Sequence, residues 1–188
     1  MVSTRQAAFV DGAKTKQPGR RRLFLVAMSF AAIMIAAACG DESGGATFDE
    51  YFADVSRITE EADKRIQELA GDFSGGFDNL EAAKEVYPAY VAAYQDFVEG
   101  IDGLNPPPQA AEAHREFVVT SKELQELNKA RLESLNAAQE DSALEEIFGA
   151  DEEYSAAVKR QNDACIALRR VAEGRGVSVP GLANCEET

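Results

Sequence analysis

Apolar residues recur at intervals of three and four along most of the chain, and no segment alternates as a strand would. The first such stretch runs from Thr47 to about Ala70 through Phe48, Tyr51, Phe52, Val55, Ile58, Ala62, Ile66 and Leu69. Thr47 and Glu50 form a Thr-x-x-Glu capping box, and Gly71 ends the pattern. The second stretch spans Asn79 to Asp102, with Leu80, Ala83, Tyr87, Tyr90, Val91, Tyr94, Phe97, Val98 and Ile101 on one face. Pro88 lies inside it and should kink the helix or begin a new one, because proline lacks the N–H and clashes with the preceding turn.

Asn105-Pro106-Pro107-Pro108 reads as a rigid turn, with Asn105 suited to cap a third helix and Pro106 to open it. That helix continues to about Gln139 through Phe117, Val118, Leu124, Leu127, Arg131, Leu132, Leu135 and Ala138. Ser142-x-x-Glu145 is a second capping box. The fourth stretch follows through Leu144, Ile147, Phe148, Tyr154, Val158, Ala164, Cys165, Leu168 and Val171. Gly149 should break it after a turn or two, Asp151 should restart it, and Gly174 and Gly176 should end it. The expected fold is all-α: an antiparallel four-helix bundle of residues 47–188 with a disulfide-pinned C-terminal tail.

The first 38 residues follow different rules. Arg20-Arg21-Arg22 precedes an apolar run from Leu23 to Ala38 in which Ser29 is the sole polar residue. A basic region followed by sixteen such residues matches a signal peptide and is short of the roughly 20 that cross a membrane. The run ends in Ala36-Ala37-Ala38-Cys39-Gly40, which resembles the bacterial lipobox, with Ala36 where Leu is commonest. The resemblance implies that residues 1–38 are removed and that Cys39 is diacylated as the mature N-terminus. An uncleaved signal anchor is the alternative. Residues 39–46 are small and polar, as suits a flexible linker. Arg21-Arg22-Leu23-Phe24-Leu25 also resembles the twin-arginine export signal, so both general and twin-arginine export stay open.

Charge divides at the same place. Residues 1–38 hold six of the 19 basic residues and one of the 33 acidic ones, which leaves 13 against 32 in residues 39–188, a net charge of −19. Such a surface repels nucleic acid and anionic head groups and tolerates cations or basic proteins.

Export sets the redox setting of the two remaining cysteines. In an oxidising compartment Cys165 and Cys185 are expected to form a disulfide, since the tail can turn at Gly174–Gly176 and run back along the fourth helix. Such a loop contributes about 3 kcal/mol in the chain-entropy picture. The competing use of the two cysteines, as metal ligands with one distant histidine, lacks a ligand set.

Searching for chemistry mostly closes options. His114 is the sole histidine, which leaves no Glu-x-x-His pair for a di-iron site, and Cys-x-x-Cys-His for haem is absent. Nucleotide-binding glycine motifs and the Gly-x-Ser-x-Gly nucleophile pattern are also absent. No metal or cofactor is expected, and no enzyme activity. Tyr90 and Tyr94, with His114, are the candidate lining of a ligand groove between helices; core packing is the alternative use of all three.

Leu104-Asn105-Pro106-Pro107-Pro108 followed by His114, together with the Cys165…Cys185 ending, resembles small uncharacterised exported helical-bundle proteins of bacteria, a resemblance that implies no activity. The functional expectation is a lipid-anchored module on the outer face of the cell membrane, held there by its N-terminal lipid, that interacts with or scaffolds envelope proteins. The alternative is a small-ligand-binding lipoprotein.

Overall fold

The computed structural model describes residues 46–70, 77, 79–149 and 151–185, and every regular element among them is helical. The elements are α1 (Phe48–Ala70), α2 (Leu80–Asp102), α3 (Ala111–Ala137), a short α4 (Ala143–Phe148) and α5 (Glu152–Glu173). A 3-10 turn, Pro180–Leu182, follows. Cys39 and the proposed leader and linker up to residue 45 lie outside the described residues.

The capping box at the start of α1 forms as its residues dictate. The Thr47 N–H donates to Glu50 Oε2 at 3.0 Å, and the Glu50 N–H to Thr47 Oγ1 at 3.3 Å. Asn79 caps α2 by accepting from the Ala82 N–H at 2.9 Å. Helix α2 then runs through Pro88 without interruption. One lost backbone donor is tolerated there because Tyr87 and Val91, on either side, are buried in the core.

One expected helix start lies elsewhere, and at another the start holds but the expected side-chain cap does not form. Asn105 does not cap α3, which begins at Ala111. Each residue before a proline is disfavoured from helical backbone, so Asn105, Pro106 and Pro107 are all held out of the helix, which starts only beyond the last proline. The first bonded turn is Ala110 N–H to the Pro107 carbonyl at 2.8 Å. Ser142 does not cap α4 through its side chain either. It already sits in helical backbone, in a turn closed by Ala143 and Leu144 donating to the carbonyls of Glu140 and Asp141. The Asp141 carboxylate instead accepts the Leu80 N–H at 2.7 Å, a cap given by one segment to another helix.

Asp151 restarts the chain as anticipated, accepting from the Glu153 and Tyr154 N–H groups at 2.9 and 3.1 Å. Helix α1 packs on α2, α2 on α3, and α3 on α5. One core gathers Tyr51, Phe52, Val55, Ile101, Phe117 and Leu168 with Val179 and Leu182 of the tail. A second gathers Leu80, Tyr87, Val91 and Leu135 under Phe77 and Phe148.

After α5 the chain reverses at Gly176, whose φ of +74° lies in the left-handed region that glycine enters without steric cost. The tail then lies against both α1 and α5. Cys185 is disulfide-bonded to Cys165 of α5, with Cα atoms 6.0 Å apart, as the sequence leads one to expect. Gly181 packs on α1, its N–H 3.3 Å from Ser56 Oγ.

Candidate functional site

The three residues expected to line a groove are placed in different surroundings. Tyr87, Tyr90 and Tyr94 form a stacked series along α2, with ring centroids 5.5 and 6.4 Å apart. Tyr90 stays half-buried at the end occupied by Tyr87 and Phe148. Tyr94 continues the series through Phe97 to Phe117 of α3, at 5.6 and 5.9 Å. His114 is buried against α1, with Nδ1 2.9 Å from the Tyr51 hydroxyl.

Tyr94 borders a cleft of about 640 Å³ between α1 and α5. Its base is aromatic: Tyr94, Phe97 and Phe117. Helix α1 supplies one wall with Thr59, Ala62, Asp63 and Ile66. Helix α5 supplies the other with Val158, Lys159, Asn162 and Cys165. The tail closes the remaining side with Gly181, Leu182, Asn184 and Cys185. Tyr90 and His114 do not line it.

The charged groups at its rim are already engaged. Lys159 pairs with Asp163 at 2.8 Å, and Asp63 accepts from the Asn184 amide at 2.9 Å. The Tyr94 hydroxyl is sealed from solvent without a well-formed hydrogen bond. Burial pushes its pKa up strongly, and the Ser121 hydroxyl beside it opposes that rise. A mainly aromatic base with paired charges at the rim suits an apolar molecule better than a charged one, because an ion leaving water there would find no uncommitted counter-charge.

Sequence reasoning missed the residue that fixes the tail. Arg169 Nη1 donates to the Cys185 carbonyl at 2.8 Å and lies 3.4 and 3.5 Å from those of Leu182 and Ala183. Its position four residues after Cys165, on the same face of the helix, was the available signal.

Among the described residues, no group of three or more His, Cys, Asp or Glu side chains is placed to hold a metal ion. No described helix is long and apolar enough to cross a membrane. No family model matches the chain, and neither curated proteins nor solved structures provide a match.

Proposed function

We propose that this chain is an exported lipoprotein whose helical body binds a small, mostly apolar ligand in the cleft between α1 and α5. The observation that carries this reading is the cleft itself: about 640 Å³, with an aromatic base and paired charges at its rim. That volume falls within the roughly 300–1,000 Å³ of ordinary small-molecule sites. In this reading the four long helices form an antiparallel up-down bundle, supported by short connections and by the packing of successive helices on one another. Diacylated Cys39 tethers the bundle to the outer face of the cell membrane, supported by the leader and the lipobox-like Ala36–Gly40. The activity is binding rather than catalysis.

Titration with the neutral apolar dye Nile red tests the cleft. Saturable binding that raises the melting temperature is expected; at 100 times Kd a ligand adds about 2.7 kcal/mol of stability. Ile66→Trp, which puts a large ring on the α1 wall, should weaken dye binding while leaving the helical content intact. Binding unchanged by Ile66→Trp would show that the dye sits elsewhere.

The second reading is an envelope interaction or scaffold module. Its support is the net charge of −19 on residues 39–188, which favours a basic protein partner. Pull-down of the tethered protein at low and high salt tests it, a partner released by salt being the expected result.

A further inference from the structure

We propose that the Cys165–Cys185 disulfide is a redox gate on the cleft: its reduction frees the tail and removes one wall of the binding site. This rests on the cleft reading above.

Both cysteines line the cleft, so the bond is part of its wall as well as a tie holding the tail. The tail is also what joins α1 to α5 there. Among the described residues its polar ties to the helices include the Val177 N–H to the Ala172 carbonyl at 3.1 Å, the Gly181 N–H to Ser56 Oγ at 3.3 Å, the exposed Asn184–Asp63 hydrogen bond, and Arg169 to the tail carbonyls. Its regular structure amounts to one 3-10 turn, and its apolar anchors are Val179 and Leu182. Held by a few buried residues and the hydrogen bonds of a single turn, such a segment opens at lower cost than the long helices it joins. The disulfide acts by keeping the tail close to α5 whenever those weaker ties break.

The sulfurs differ in access. Cys165 is 6% exposed, whereas Cys185 is half-buried near the chain end. A thiolate of a dithiol reductant therefore attacks Cys185 Sγ, and Cys165 leaves as a thiolate that takes up a proton. The second thiol of the reductant then displaces Cys185, which is protonated in turn. Two electrons and two protons pass to the protein, and the dithiol ends as its own disulfide.

The test compares the full chain, oxidised and reduced with dithiothreitol, and a Cys165→Ser/Cys185→Ser variant. Nile red affinity, far-ultraviolet circular dichroism and hydrogen exchange are measured on each. Reduction is expected to weaken dye binding at least fivefold and to speed exchange across 177–185 at least tenfold, with the helical signal retained. The double variant should behave as the reduced protein does and ignore dithiothreitol. A smaller change in dye affinity, or slow exchange in a reduced tail, would overturn the gate. Loss of the helical signal on reduction would overturn it too, by making the bond a staple of the whole fold. If the oxidised protein binds no dye, the cleft reading fails, while exchange in the tail still decides whether reduction releases it.

Discussion

The Tyr51 hydroxyl and His114 Nδ1 meet at 2.9 Å, joining α1 to α3 inside the core. Burial holds the His114 pKa below its ordinary value, partly offset by the negative charge of Asp102. The sign of the linkage follows. The unfolded chain takes up the proton first, at about pH 6.5, while the folded ring resists it. The stability that His114 contributes is therefore present above that pH and lost as pH falls from there through the folded pKa. Urea denaturation at pH 7.5 and 5.5 should show a larger drop in stability for the native chain than for His114→Gln, which cannot ionise. Equal drops would show that the carboxylates alone set the pH dependence.

Asn128, fully buried on α3, accepts at Oδ1 from the Tyr87 hydroxyl at 3.0 Å and from the Tyr154 hydroxyl at 3.1 Å. Replacing it by Leu removes the acceptor shared by two hydroxyls. At about 1–3 kcal/mol for each hydroxyl left unpaired, less what is regained by removing the unpartnered Asn128 Nδ2, Asn128→Leu should cost about 2–4 kcal/mol. Tyr87→Phe, which leaves Tyr154 still bonded, should cost about 1 kcal/mol. Chemical denaturation of the two variants and of their combination checks the ordering.

A Cβ placed on Gly181 would collide with the Thr59 side chain and the Ser56 carbonyl. Gly181→Ala should thus lift the tail from α1 and destabilise the fold by about 1–3 kcal/mol, the usual cost of overpacking. Thr59→Gly would relieve part of that clash. A double-mutant cycle by thermal denaturation should show coupling between the two positions, and additive costs would place the strain elsewhere.

The proposed tether is checked by mass and partition. The mature protein should begin at Cys39 and carry the mass of its acyl chains, entering the detergent phase. Cys39→Ser should leave uncleaved precursor or shift the protein out of that phase. A native mass that begins upstream of Cys39 would exclude the anchor.

Helices were readable because burial imposes a spacing that survives in one dimension. Phe48, Tyr51, Phe52 and Val55 announce a face of α1 wherever the other helices lie. The Thr47–Glu50 cap was equally local. The start of α3 was misplaced because three consecutive prolines exclude helix in the residues before them, which outweighed the capping tendency of Asn105. The cleft was not readable. It depends on Gly181 lying against Thr59, a relation between residues far apart in sequence. The tyrosine stripe looked uniform in sequence, yet seven residues of helix extend about 10 Å. That is enough to put Tyr87 in one core cluster and Tyr94 in the other.

The contact between Ser56 and Gly181 spans 125 residues of sequence. The first long helix therefore acquires that neighbour only once the tail beyond α5 has been made. Loop closure over such a distance is slow compared with helix formation, so the tail docks late in folding. A chain stopped after Gly176 would keep the sequence of every long helix yet lack the piece that joins the first to the last. Arrival of the tail, rather than formation of any helix, is the event that finishes this core.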